Sequence, residues 1–502
     1  MFLALKADKD TYVTNKFVNG KQTVSGNVGI AGTLDLFKLY GITVFEEIPQ
    51  TELSRLLIHF DLNLLKNIFD SGKIDINDSS FKCFISLKDV YGGQATPSNF
   101  TVNVFPLSAS FFEGIGKDTA YYSDEDKCNF ISASHDAAWG LVGCDKACFS
   151  TGSGDYITSS LTITDTLTTQ LFKIGDEDLF VDVTPIISAT LKNDLPDEGF
   201  RISFNSSIEA DERTYFVKRF ASRHAFDETK HPKLIVKFDD SIQDESGCLY
   251  LDAPEVSKLF LYNYFQGQLM NLVSSSSEVT GSNCILLELQ TEVSGTGTYS
   301  LFFTGSQKSI GLTSVEGMYF ADVEIPLTDP QIKISHQLSG SVKFKPIWSS
   351  LDKTVSFFTG SSIVAKPPER RISRLNPRKY SVYARNMSSE YSQNEDVTIR
   401  VDIFDENDPT IIAKRLPFQI PGLVLKNSYY GIRDSVTNSY IIPIDTLHKS
   451  TKLSSDSNGM YFTFSTSALI PNRTYLVDLS LTVDGQQQLY LGASSVFKIL
   501  KF

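Results

Sequence analysis

The feature that most constrains this chain is a period-two alternation of apolar and polar residues that recurs from one end to the other. It is plain in Phe100-Thr101-Val102-Asn103-Val104-Phe105, in Leu234-Ile235-Val236-Lys237-Phe238 and in Val397-Thr398-Ile399-Arg400-Val401-Asp402-Ile403. Tyr475-Leu476-Val477-Asp478-Leu479-Ser480-Leu481-Thr482-Val483 continues it near the C-terminus. Successive side chains of a strand point to opposite faces, so each run offers one face to a core and the other to water. Between such runs stand Tyr91-Gly92-Gly93, Asp197-Glu198-Gly199, Ser457-Asn458-Gly459 and Asp484-Gly485. Those residue types supply positive φ or brace a turn through side-chain hydrogen bonds. The pattern predicts an all-β chain. Leu53 to Asp70 is the single stretch read as helical, and within it Arg55-Leu56-Leu57-Ile58-His59-Phe60 reads as a strand preceding a short helix.

With 502 residues the chain has room for about three or four domains at roughly 100–200 residues each. Hydrophobic residues make up 41% of it, with 36 Phe and 21 Tyr, enough apolar area for several cores and too much for a disordered chain. One boundary is read in the polar stretch Asp239-Asp240-Ser241 to Ser246-Gly247, and a second at Lys366-Pro367-Pro368-Glu369-Arg370-Arg371. Consecutive prolines cannot donate to a ladder and favour an extended path, so the second is read as a stiff spacer. The expected domains are 1–240, 241–368 and 369–502. Phe302-Phe303-Thr304-Gly305-Ser306 and Phe357-Phe358-Thr359-Gly360-Ser361 match, and are read as two similar strand-to-turn exits rather than a repeat.

The formal charge of −13 opposes attraction to a phosphate backbone, so no nucleic acid is expected as a partner. No run approaches the roughly 18 apolar residues of a membrane-spanning helix, and Met1 to Asp10, broken by Lys6, Asp8, Lys9 and Asp10, lacks a signal h-region. The expectation is a protein made in a reducing cytoplasm without membrane attachment. Cysteines at 83, 128, 144, 148, 248 and 284 fit that expectation as free thiols, and a Cys144–Cys148 disulfide is disfavoured.

The sets that would mark catalysis are missing: there is no His-Glu-x-x-His, no phosphate-binding Gly-rich loop ending in Lys-Ser/Thr, and no Gly-x-Gly-x-x-Gly between strand and helix. The histidines at 59, 135, 224, 231, 336 and 448 are scattered, and His59, inside an apolar strand, reads as a satisfied core imidazole. Two carboxylates about 5–9 Å apart on one sheet would make a glycosidase, the serious enzymatic alternative. Cys128, His135, Cys144 and Cys148 fall within 21 residues, but Cys-x6-His-x8-Cys-x3-Cys does not place two zinc ligands on each tight turn, and small buried residues or free thiols are the preferred reading. Trp139, Tyr121 and Tyr122 are the aromatics a sugar ring would stack on, with Trp139 assigned to the core. No catalytic, cofactor-binding or metal-binding residue is assigned, and no cofactor is expected.

The N-terminal part resembles the DNRLRE family of jelly-roll modules, relatives of carbohydrate-binding domains. Ala7-Asp8-Lys9-Asp10-Thr11-Tyr12-Val13 is similar to the family's opening strand, and Ser54-Arg55-Leu56-Leu57-Ile58-His59-Phe60-Asp61-Leu62 to its central strand. Phe112-Glu113-Gly114-Ile115-Gly116 resembles its Glu-Gly-x-Gly turn, Trp139 stands where the family carries a tryptophan, and Phe180-Val181-Asp182-Val183-Thr184-Pro185 resembles its Asp-Val-Thr segment. Phe220-Ala221-Ser222-Arg223 and His231-Pro232-Lys233-Leu234-Ile235-Val236 resemble its close. Together these span residues 7–238 in the family's order. The resemblance implies a double-sheet jelly roll, in which Arg55 needs a carboxylate or backbone acceptor and is structural rather than catalytic.

The last 130 or so residues have an Ig-like look without a Cys–Trp–Cys set, and Ile470-Pro471-Asn472-Arg473-Thr474-Tyr475 resembles the approach to a tyrosine-bearing hairpin in β-sandwich adhesion modules. The whole reads as all-β, an N-terminal jelly-roll sandwich followed by two smaller Ig-like β-sandwich domains. Such a build resembles virion proteins of tailed bacteriophages. It implies a non-enzymatic structural protein of the virion that docks to other virion proteins and to copies of itself, in neck, tail or baseplate rather than as capsid decoration. A carbohydrate-binding adhesin or polysaccharide-degrading spike is the alternative.

Overall fold

A computed structural model of the chain describes residues 1–42, 49–90, 97–122, 127–247, 249–253, 256–274, 276–293, 297–310, 313–367, 379–406, 423–483 and 486–501. The turns at Tyr91-Gly92-Gly93 and Asp484-Gly485, Cys248, and the connector from Pro368 onward lie outside the described residues. The chain is all-β, and it divides into two compact units: residues 2–70 with 81–237, and residues 238–502 with Met1 and 71–80.

Ten strands of the first unit form one hydrogen-bonded sheet, eight of them on a single path. Its pivot is the strand Phe2–Thr14, whose first half pairs antiparallel with Lys233–Lys237 and whose second half pairs with Pro49–Phe60. The register slips between Ala7 and Lys9, where a bulge lets one strand change partners and re-aim its side chains. Outward from the second half run Pro49–Phe60, Phe200–Phe204, Phe100–Pro106 and Thr168–Phe172, and from the first half Lys233–Lys237, Lys82–Leu87 and Leu179–Asp182. Thr33–Ile42 joins the start of Pro49–Phe60 to Tyr215–Ala221. The alternation of Phe100–Phe105 becomes burial of Phe100, Val102 and Val104, and Phe100 stacks on Phe172 at 4.9 Å between centroids. Two lysines, Lys38 and Lys218, are fully buried here, each held by a carboxylate: Asp211 for Lys38, and Asp89 at 2.5 Å for Lys218.

Asn63–Asp70 is the helix expected after the strand ending at Phe60. Two more helices of eight residues or more, Thr184–Leu191 and Pro330–Ser339, together with the single turn Ser206–Glu209, correct the reading of 53–70 as the single helical stretch. Both start with proline in the first turn, where the missing N–H costs nothing. The second is capped by Asp329, whose Oδ1 accepts from the N–H of Gln331 and of Ile332, and it stops at Gly340 with φ of +70°.

Within the second unit, residues 249–366 form an eight-stranded sheet in the order Leu249–Tyr250, Ile363–Lys366, Val342–Ser349, Ile285–Val293, Gly297–Ile310, Thr313–Val323 and Ser257–Tyr262, with the eighth strand, Ser356–Thr359, paired to Val342–Ser349 off that path. One core of Leu259, Leu287, Leu289, Tyr319, Phe344 and Trp348 fills it. The two Phe-Phe-Thr-Gly-Ser runs occupy unlike places. The first lies in the middle of Gly297–Ile310 and the second leaves the short strand Ser356–Thr359, so they are not two equivalent strand-to-turn exits.

Residues 380–500 build two sheets. Tyr380–Ala384, Asp396–Asp405, Gly459–Ser465 and Ser454–Asp456 make one, and Glu390–Ser392, Phe497–Leu500, Thr474–Val483, Ser428–Asp434 and Tyr440–Ile442 the other, with Gln486–Tyr490 added at Thr474–Val483. Tyr430 stacks on Phe462 at 4.2 Å and Phe464 meets Phe497 at 6.0 Å, so aromatics from the two sheets interlock as in a β-sandwich. Tyr475 Oη donates to Ile470 O at 2.9 Å and accepts from Ile470 N at 2.8 Å, the back-reaching tyrosine of Ig-like sandwiches. The segment after residue 240 runs beside this sandwich: Ser455 N donates to Ile242 O at 2.8 Å and Gln243 Nε2 to Leu453 O at 2.8 Å. These bonds tie the start of the middle strands to the C-terminal sheets within one compact unit.

Candidate functional site

Most groups that the sequence brings forward are consumed inside the first unit. Arg55 is buried and accommodated as its place beside a core requires: Nη2 pairs with Glu209 Oε2 at 2.7 Å and Asp145 Oδ2 at 3.1 Å, and Nη1 donates to Gly143 O at 2.8 Å. Trp139 is a core residue whose Nε1 donates to Asn129 O. His59 Nδ1 lies 2.6 Å from Asp8 Oδ1. Burial works against the charged imidazole, yet the Asp8 hydrogen bond and the Asp8 and Asp197 charges overcome it and raise its pKa.

The cysteine and histidine set between 128 and 148 does not converge as a ligand sphere. Cys128 and Cys144 pack in an apolar cluster with Phe130 and Trp139, whereas His135 is exposed. Burial raises the Cys128 thiol well above its usual range and pushes Cys144 up to about 12, so both are inert thiols. Tyr121 is 87% exposed beside a groove lined by Asn19, Lys21, Gln22 and Thr23, and is the residue of the sugar-stacking trio that faces solvent most fully.

Among the described residues, one group of His, Cys, Asp and Glu brings three donor atoms together: Asp10, Glu113 and His224, with one atom from each within 4.8 Å of the others. Three distant segments meet there. Asp10 lies just past the register slip of Phe2–Thr14, Glu113 heads the Glu113-Gly114-Ile115-Gly116 turn, and His224 follows the strand Tyr215–Ala221. Arg223 locks the group. Its Nε and Nη2 grip Glu113 Oε1 and Oε2 at 2.7 and 2.6 Å, and its backbone N–H donates to Asp10 Oδ2 at 2.6 Å. Asp10 N donates in turn to Glu113 Oε1 at 2.9 Å, and His224 Nε2 stands 3.4 Å from that same oxygen.

Asp10 is the unusual member. It is only 1% exposed, and its Oδ1 meets no hydrogen-bond donor. Burial, opposed by the Arg223 N–H and reinforced by the Glu113 charge, pushes its pKa up to about 7.

The Glu113 turn is held by Asn27, which is fully buried. Its Nδ2 donates to Glu113 O at 2.9 Å and Cys128 O at 2.8 Å, and its Oδ1 accepts from Gly116 N at 2.8 Å and Gly29 N at 3.2 Å. The approach is so close that a Cβ at Gly116 would lie 1.9 Å from Asn27 O, and one at Gly29 would lie 2.1 Å from Glu113 O. That contact explains why glycines flank the acid.

Asp10, Glu113 and Arg223 each fall in a stretch quoted for the DNRLRE resemblance, but nothing there brings them together, and His224 and Asn27 were not singled out for this site. The available signal was the pair of glycine-bearing segments, Asn27-Val28-Gly29 and Glu113-Gly114-Ile115-Gly116, one around an amide and the other behind an acid.

No family model matches this chain, and no curated protein matches it. Among solved structures, the fibronectin(III)-like modules of Clostridium thermocellum CbhA align at 7% identity over 52% of this chain and 91% of that one, with a TM-score of 0.15, a superposition too poor to carry an argument.

Proposed function

We propose that this chain is a non-enzymatic structural and interaction protein of a tailed-phage virion, docking through its β-sandwich modules to other virion proteins and to copies of itself. The observation that supports the reading best is a preformed aromatic hairpin. Tyr264–Phe265 pairs with Gln268–Leu269 across Gln266 and Gly267, both at positive φ, the conformation of a tight two-residue hairpin turn. Tyr264 is 63% exposed and Phe265 58%, with Met270 and Val273 also exposed nearby in sequence. Exposed aromatic and apolar side chains of this kind are a liability in water and an asset when a partner covers them, and aromatics are enriched in such interfaces. The buried cations Arg55, Lys38 and Lys218 are each committed to an ion pair that ties a strand to a distant segment, as suits a structural framework. Neck, tail or baseplate is favoured over capsid decoration, since a chain of several modules is large for a simple decoration protein.

The test is quantitative mass spectrometry of purified particles of the encoding phage, with wild type and a Tyr264→Ser, Phe265→Ser double variant. The reading predicts the chain in particles and a several-fold loss of incorporation for the variant. A chain found free in the host cytoplasm and absent from particles would refute it.

The exposure of Tyr121 beside Asn19, Lys21, Gln22 and Thr23 favours one second reading, a carbohydrate-binding adhesin or polysaccharide-degrading spike. Aromatic faces flanked by amides and hydroxyls suit sugar rings. A glycan array and a reducing-sugar assay on the full chain decide it, and silence in both removes it.

A further inference from the structure

We propose that Asp10, Glu113 and His224 form a binding site for a divalent transition-metal ion, of the Zn2+ or Mn2+ class, in the first unit. A tetrahedral ion with nitrogen and oxygen ligands at about 2.1 Å holds its donor atoms about 3.4 Å apart. His224 Nε2 and Glu113 Oε1 already stand at 3.4 Å, and one donor atom from each of Asp10, Glu113 and His224 lies within 4.8 Å of the other two. A side-chain adjustment of about an ångström closes that triangle.

The second observation is independent of this clustering. Asp10 Oδ1 is buried without any donor, although the large majority of buried side-chain polar atoms have a hydrogen-bond partner. A buried carboxylate oxygen in this state takes up either a proton or a cation. The remaining contacts resemble an outer shell: Arg223 N–H on Asp10 Oδ2, Asp10 N–H and Arg223 Nε on Glu113 Oε1, and Arg223 Nη2 on Glu113 Oε2. Such bonds orient ligating carboxylates.

Charge sets the strength. Asp10, Glu113 and Arg223 together carry −1 when both acids are ionised, so a divalent ion leaves the cluster at +1, and the guanidinium weakens binding relative to a site with two unpaired acids. The imidazole selects the ion, because neutral imidazole suits transition metals, whereas Mg2+ and Ca2+ prefer an all-oxygen sphere. His224 is less deeply buried than Asp10, which leaves the ion a solvent-facing side for water ligands.

The experiment is isothermal titration of the EDTA-stripped full chain with ZnCl2 and, separately, MnCl2 at pH 7.5, repeated on Asp10→Asn and His224→Ala. The proposal predicts one equivalent bound by the wild type and at least a tenfold loss of affinity in each variant, with circular dichroism unchanged. Thiols such as Cys148 and Cys284 offer zinc other places to bind, so the comparison with the variants is what counts. Binding retained by either folded variant, or no binding of either ion by the wild type, overturns the site and leaves a proton as the partner of Asp10. Should Asp10→Asn fail to fold, the variant at the exposed His224, His224→Ala, decides alone.

Discussion

Replacing Asn27 with alanine removes one side chain and strands four backbone groups: the N–H of Gly29 and of Gly116, and the carbonyls of Glu113 and Cys128. Asn27 is fully buried, so water does not replace the lost bonds without opening the Glu113 turn. An orphaned buried polar group costs about 1–3 kcal/mol, and with partial relaxation of the glycine loop the four together cost about 3–5 kcal/mol. The two tryptophans provide the assay. Trp139 is buried in the first unit and Trp348 in the second, and they are the two tryptophans of the chain. Urea unfolding followed by fluorescence in Trp348→Phe and Trp139→Phe backgrounds therefore reads each unit separately. Asn27→Ala should lower the stability reported by Trp139 by about 3–5 kcal/mol and leave the Trp348 transition in place. A shift below about 1 kcal/mol at Trp139 would refute the reasoning, because the four bonds would then be carrying no more than one ordinary net hydrogen bond.

Three further outcomes are expected. Arg55→Met leaves Glu209 and the Gly143 carbonyl without their partner and should cost roughly 3 kcal/mol in the Trp139 transition. Tyr475→Phe removes both bonds to Ile470 in the C-terminal sandwich and should cost about 2 kcal/mol, read by scanning calorimetry. Burial, opposed by bonds from Ser246 and Phe260 and aided by the Asp456 charge, pushes Asp244 up to about 6, so the folded chain holds its proton more tightly than the unfolded chain between about pH 4 and 6. Stability from this group therefore falls as pH rises through that window. Asp244→Asn should gain roughly 2 kcal/mol at pH 7 and nothing near pH 4 in the Trp348 transition, and an equal effect at both would contradict the assignment.

The strand content was legible because alternation survives into the structure: Val397 to Ile403 lies inside Asp396–Asp405, and Tyr475 to Val483 inside Thr474–Val483. The helix Pro330–Ser339 was not, although Asp329-Pro330 and Gly340 mark its ends, because only Ile332 and Ser335 on it are buried and the apolar periodicity is faint. The core places of Arg55 and Trp139 were expected, the first from its position beside a buried strand and the second because a buried role is the commoner outcome for an aromatic, and the structure buries both. The Asp10 cluster was not readable as a cluster. Its convergence depends on the strand Phe2–Thr14 changing partners between Ala7 and Lys9, which brings residues about a hundred and two hundred positions away to Asp10. Alternation along one strand carries no information about which distant turns will meet its polar face.

A cryo-EM map of intact phage particles tests the proposed place of the protein in the virion directly. Docking in the virion predicts density in the neck, tail or baseplate that fits the ten-stranded unit and the C-terminal sandwich in several symmetry-related copies, with the Tyr264–Leu269 hairpin covered by another protein. A map at interpretable resolution with no such density, or with the hairpin facing solvent in every copy, would contradict it.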